Sequence, residues 1–208
     1  MNALGRLALN NPARALAQRR YVLPRLARLG GRVDGCRVFE VGCGRGVGTM
    51  LLIELLGAAH VDAIDVDPVM VGLADRRLGG RRFEGRRLAE RVTVRVADVL
   101  DRDVPGGAYD AVVDLGALHL EPAWREALVE IHRVLAPDGR LFLEEIVRPV
   151  HQSLVPLATG RRIDGGFSRV ALLAELDALG FDLLGVVEPR AAVLTGVVGD
   201  LLAVARKR

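Results

Sequence analysis

A chain of 208 residues and 22.4 kDa, half of it hydrophobic, is long enough for one domain with a substantial core and too short for two ordinary ones. Two cysteines, Cys36 and Cys43, are too few for a disulfide scaffold, and no apolar run reaches the roughly 18 residues of a membrane-spanning helix. The net charge of +3 admits a polyanion partner without requiring one, because the basic charge is nearly all arginine and the densest stretch, 76–95, lacks the series of aromatics on which bases stack.

The first 35 residues form a helical preface, with Tyr21 inside QRRYVLPRL and no signal-peptide pattern; a reducing cytoplasm is the expected location. From Arg37 onward short apolar runs alternate with helical patterns, which predicts an α/β fold with a parallel sheet covered on both faces. Strands are predicted at 37–41, 61–66, 91–97, 109–115 and 140–146, and helices near 46–57, 68–78 and 123–135, with a PDGR turn at 137–140. Residues 148–167 mix prolines, glycines and basic groups without periodicity and read as an inserted loop or small cap. Ser168 suits the start of a further helix and Gly180 its end. Two last apolar runs, 181–188 and 192–205, are joined by Pro189-Arg190, a connection that allows only an antiparallel pair. The whole predicts a Rossmann-like, doubly wound, seven-stranded, mostly parallel sheet with one reversed strand, in a single domain over 36–208.

The segment FEVGCGRGVGT, 39–49, carries glycine at 42, 44, 46 and 48 between the first strand and the first helix. Such a turn offers bare backbone N–H groups and a positive helix end to a ligand. The dinucleotide spacing G-x-G-x-x-G/A fails, since its third position falls on Val47 or Thr49, and the phosphate-loop pattern fails for want of a lysine. What remains is E-x-G-x-G-x-G: Glu40, Gly42, Gly44, Gly46. Gly48 is left over, in the first helical turn, where a small residue allows close packing on the sheet.

This motif resembles the first motif of the class I S-adenosylmethionine-dependent methyltransferases. The resemblance extends through VDAIDVDP with Asp65, RVADVL with Asp98 and Val99, and the stretch YDAVVDLGALHLEP to RLFLEE, about 170 residues in all. It implies S-adenosylmethionine as cofactor. Glu40, Gly42, Cys43, Gly44 and Gly46 would lie at its amino-acid portion, Asp65 and Val66 at the ribose, Asp98 and Val99 at the adenine, and Tyr21 would fold over it. Asp114, His119 and Glu144 are the catalytic candidates, His119 as a base and a pocket carboxylate as base or stabiliser of a cation. Of Glu144 and Glu145, strand alternation sends at most one to the pocket. Arg148, His151, Arg161, Arg162 and Arg169 could pair with an anionic group on the acceptor. Trp124 and His132 read as structural, and no metal site is expected.

Asp114-Leu115-Gly116-Ala117 stands where base and amide N-methyltransferases carry an N-P-P-Y type motif, which argues against base methylation. The expected acceptor is a small, partly lipophilic molecule of quinone, polyketide or isoprenoid-diphosphate type, methylated on carbon or oxygen. Nucleic acid is the less favoured partner, and a homodimer is allowed. Two other readings stay open: an RNA methyltransferase using the arginine-rich segment, and a non-catalytic S-adenosylmethionine-binding regulatory protein.

Overall fold

The computed structural model describes residues 11–147, 167–189 and 199–208. Two short helices, α1 (Pro12–Ala17) and α2 (Leu23–Gly30), flank a π-helical turn, Gln18–Val22. The alternating part then begins with β1 (Arg37–Val41), α3 (Val47–Leu56), β2 (His60–Asp65) and α4 (Pro68–Gly79). A small hairpin, β3 (Arg82–Phe83) and β4 (Arg86–Arg87), precedes β5 (Val92–Val96) and β6 (Tyr109–Leu115). The chain continues with α5 (Trp124–Val134), β7 (Leu135–Glu145), α6 (Arg169–Ala178), β8 (Phe181–Val187) and β9 (Leu201–Lys207).

Local chemistry accounts for the helix boundaries. Asp67 caps α4 by accepting from Val69 N at 3.0 Å, with Pro68 at the first helical position, where a missing N–H costs nothing. Ser168 caps α6 by accepting from Ala171 N at 3.2 Å, and Gly180, at φ +88°, turns the chain out of it.

The seven strands run in the order β5-β2-β1-β6-β7-β9-β8, and β9 is antiparallel to both its neighbours while the other pairs are parallel. From β1 the chain winds outward through β2 to β5, then returns to the other side of β1 at β6. That reversal is the point where an open α/β sheet leaves a crevice beyond its strand ends. One core lies under α2 and α3 (Val22, Leu26, Leu52, Leu56, Phe142), the other under α5 and α6 (Trp124, Ile131, Leu143, Leu172).

Two predicted strand boundaries move by two residues or more. β7 begins at Leu135, because Tyr109 pairs with Leu135 before the register jumps to Ala111–Arg140; the PDGR turn is the extra loop between, with Asp138 at φ +61°. The last strand runs on to Lys207, through residues whose charge disguises a strand; Lys207 Nζ donates to His132 O and Leu135 O at 2.8 and 2.7 Å. The earlier part of that predicted run, 190–198, and the predicted cap at 148–166 lie outside the described residues. The hairpin β3–β4 has too little apolar alternation to be read from sequence.

Gly30 sits where α2 meets the sheet, and a Cβ there would overlap Val204 Cγ1 and approach Phe142 Cε1 to 3.0 Å. Gly79, at the end of α4, has nothing within 4 Å of such a Cβ. Gly30→Ala is expected to destabilise the fold by about 1–3 kcal/mol, and Gly79→Ala to stabilise it by about 0.4–1 kcal/mol. Urea unfolding measures both; a Gly30→Ala variant as stable as its parent would show that α2 does not sit on β7 and β9 as described.

Candidate active site

A cleft of about 760 Å³ opens at the carboxyl ends of β1, β2, β5 and β6, within the size range of small-molecule and cofactor sites. Its wall includes Glu40, Gly42, Cys43, Gly44, Asp65, Val66, Asp98 and Val99.

The glycines do different work. Gly42, Gly44 and Gly46 all have positive φ, at +69°, +54° and +74°. A Cβ on Gly42 would overlap Ala117 Cβ, so this glycine lets the loops after β1 and β6 close on each other. A Cβ on Gly46 would come within 3.1 Å of Ala74 Cβ and Leu78 Cδ1, so this one seats α4, and Gly46 is not on the cleft wall. Gly44 alone faces open space, its nearest neighbour being Met70 Cε at 3.9 Å. Gly48 makes room for a side chain: a Cβ there would overlap Glu40 Oε1.

Glu40 is buried at the end of β1, accepts from Thr49 Oγ1, and is pushed up to about 7, chiefly by burial. Asp65 ends β2 and accepts from Gly44 N and Asp67 N, both at 2.9 Å, one on each carboxylate oxygen. Burial raises its carboxyl above the ordinary range and the two amides work against that rise. Asp98 follows β5 in a tight turn, accepting from Leu100 N at 3.0 Å while its own N–H donates to Asp101. Cys43, whose amide is tied to Ile64 O, has a thiol pushed up by burial and is no nucleophile at neutral pH.

None of the three catalytic candidates lies on this wall among the described residues. Asp114 is fully buried and accepts from Ala117 N and Leu118 N at 2.8 and 3.0 Å, clamping the loop after β6. His119 is 4% exposed and lies behind Gly116, its Nδ1 2.5 Å from Glu145 Oε2; burial lowers it to about 4, so the ring is neutral. Glu145 also accepts from the amides of Leu118 and His119. Asp114 and Glu145 both meet the Leu118 amide, and burial raises both above the ordinary carboxylate range. Glu144, fully buried, pairs with Arg14 at 3.4 Å and accepts from Gly199 N at 2.9 Å. The alternation argument therefore allowed one acid at the pocket where neither is found, because β7 is buried on both faces.

Tyr21 is also displaced from its expected place: it packs on the first core under the Arg25 guanidinium, 3.8 Å from the ring centroid. The N-terminal helix reaches the cleft instead through Asn11, Arg14, Ala15 and Gln18, four residues the sequence reading missed. Their spacing, i, i+3, i+4, i+7, was the available signal, and a polar stripe of that kind reads as a solvent face. Arg14 Nη2 donates to Leu115 O at 2.8 Å. Trp124 packs edge-on against Phe167 and His132 against Phe181, both as structural residues. Arg169 pairs with Glu188 at 2.8 Å, while Arg148, His151, Arg161 and Arg162 lie outside the described residues. In the arginine-rich segment, Arg91 donates to the carbonyls of Ala58 and Ala59 ahead of β2, at the end of the sheet opposite the cleft.

These residues fit S-adenosylmethionine better than a phosphate-bearing nucleotide. Its ammonium, ribose diol and adenine amine are donors, and three acids, Glu40, Asp65 and Asp98, line the cleft in strand order. The Gly44 amide, which a phosphate would require, is already committed to Asp65. Fold and site thus define a methyl-donor-binding α/β domain. The family model described as Methyltransferase domain matches residues 38–139, just under half of the chain. It is 34% identical over 113 residues to the demethylmenaquinone methyltransferase of Thermus thermophilus, the match covering 54% of this chain and 48% of that protein. It is 32% identical over 117 residues to a fatty-acid O-methyltransferase of Mycolicibacterium smegmatis, covering 56% and 39%. The chain thus spans half or less of these relatives. A solved geranyl diphosphate methyltransferase in complex with SAM superposes with a TM-score of 0.72 at 18% identity, covering 97% of this chain and 94% of that one, a likeness of fold.

The Glu40 carboxyl gives a pH test of the site's construction. With a folded value of about 7 against an ordinary 4.5, the folded chain keeps a proton that the unfolded chain releases. Its stabilising effect is complete below the unfolded value and is lost as pH rises through the folded one. Glu40→Gln removes this component, so the stability of the variant relative to its parent is expected to rise by up to about 1.4 kcal/mol per pH unit across that window. Urea unfolding at stepped pH measures it, and parallel pH curves would contradict the burial of this acid.

Proposed function

We propose that the chain is an S-adenosylmethionine-dependent methyltransferase that methylates carbon or oxygen of a small, partly lipophilic acceptor. The observation that carries this reading is the row of acids, Glu40, Asp65 and Asp98, along one cleft at the reversal point of the sheet. Similarity to methyltransferases of demethylmenaquinone and fatty acids supports the acceptor class. The cofactor supplies a methyl group on a sulfonium leaving group, so the work left to the protein is alignment and exclusion of water.

In this reading Asp65 accepts from the ribose diol with the lone pairs its two amide partners leave over, and Asp98 accepts from the adenine amine. Gly44 lets the backbone approach, and Glu40, when ionised, receives the ammonium. Asp114, Glu145 and His119 position the loop Gly116–Leu120 from behind. The neutral His119 ring hydrogen-bonds through Nδ1 to Glu145, and no described geometry brings its other nitrogen to the cleft wall. Residues 36–208 would make up the catalytic domain, with the N-terminal helices as one wall of its cleft and the acceptor entering beside them.

Isothermal titration with S-adenosylmethionine tests the cofactor assignment: Asp65→Ala is expected to weaken binding by about tenfold or more, the worth of hydrogen bonds to a charged group. Incubation with metabolite extract and the cofactor is expected to yield a product heavier by one CH2 in mass spectrometry, naming the acceptor. Unchanged affinity in the variant would break the register assigned to the cleft.

A further inference from the structure

Between α1 and α2 the helix widens for one turn: over Gln18–Val22 the bonding is π-type, and Leu23 N donates to Gln18 O, five residues back. One additional residue in the turn offsets the faces on either side of it by roughly 100°. From the end of the turn onward, Val22, Leu23 and Leu26 are wholly buried in the core. Ahead of it Asn11, Arg14 and Ala15, and at its first residue Gln18, line the cleft. The widened turn therefore lets one helix be anchored on the core and still present a different, polar face to the site.

Gln18 is the unusual member of that face. It is 6% exposed, lines the cleft, and among the described residues its carboxamide has no hydrogen-bond partner. A buried amide left unsatisfied costs free energy, so such a group in a cleft points to a ligand that completes it. Its position narrows the choice. Arg14, one turn earlier, reaches Leu115 O at the end of β6, and the π turn packs beside α3, whose first residues Val47 and Gly48 are also on the wall. Gln18 thus belongs to the β1–β6 end of the cleft, on the far side of β1 from Asp65 and Asp98.

We infer that the Gln18 carboxamide donates a hydrogen bond to the carboxylate of the cofactor's amino-acid end, making Gln18 a cofactor-binding residue presented by the π turn. The inference rests on the reading of the cleft as an S-adenosylmethionine site. At that end a zwitterion meets groups of both kinds: Glu40 for the ammonium, and Gln18 with the neighbouring Arg14 guanidinium for the carboxylate.

Titration calorimetry with two ligands tests it: S-adenosylhomocysteine, which has the amino-acid end, and 5′-methylthioadenosine, which has the same nucleoside without it. Gln18→Ala is expected to weaken S-adenosylhomocysteine by about tenfold and leave methylthioadenosine unchanged. Gln18→Glu keeps the size, places carboxylate against carboxylate, and is expected to show the same selectivity with a larger loss. An equal loss for both ligands, or no loss for S-adenosylhomocysteine, overturns the inference. A parent protein that binds neither ligand overturns the underlying reading of the cleft and this inference with it.

Discussion

The 2.9 Å hydrogen bond from the Gly44 amide to the Asp65 carboxylate is the contact on which the rest of the site depends. It crosses from the loop after β1 to the end of β2, and the second oxygen of Asp65 holds the amide of Asp67 at the start of α4. One side chain therefore sets the relative position of two strands, the glycine loop and a helix. The arrangement requires positive φ at Gly42, Gly44 and Gly46, and close approach at two of them. It also leaves the acid at the cleft surface, where its remaining lone pairs face inward. A fold that spends its loop amide on a carboxylate has selected a ligand rich in donors rather than in phosphate oxygens.

Behind the cleft lies a layer of charge that the fold tolerates because nearly every oxygen is addressed. Asp114, Glu144 and Glu145 are fully buried, and amides of Ala117, Leu118, His119 and Gly199 point at them. Two carboxyls sharing the Leu118 amide cannot both ionise cheaply, and burial raises both. The consequence is mechanical: the loop Gly116–Leu120, which supplies part of the cleft wall, is fixed from below. The residues that looked most like acid–base catalysts are thus the ones that hold the wall in place.

The mostly parallel sheet, the reversed strand and the acids at strand ends were legible because each has a local signature: alternation, a connection too short for a crossover, an acid at the end of an apolar run. Glu40, Asp65 and Asp98 were legible for that reason. Gly46 and Tyr21 were misplaced because spacing and family likeness do not say which way a loop or helix face turns; Gly46 turns to Ala74, Tyr21 to the core. Gln18 and Arg14 were missed because the π turn shifts the register of the helix, and nothing in the local sequence announces that shift. The burial of His119 depends on Glu145, 26 residues away, which only the paired strands bring within reach. Gly48 was rightly taken as a packing glycine, but the partner is the Glu40 carboxylate rather than the sheet surface in general.

The central claim, that this cleft holds a methyl donor and not another nucleotide, is tested most directly by thermal unfolding with a panel of S-adenosylhomocysteine, NAD, FAD and ATP, each at high and equal concentration. Ligand at a hundred times its dissociation constant adds about 2.7 kcal/mol to the folded state, which for a domain of this size raises the melting temperature by about 5–10 °C. The account predicts such a rise with S-adenosylhomocysteine alone. A comparable rise with NAD, FAD or ATP, and none with S-adenosylhomocysteine, would contradict it.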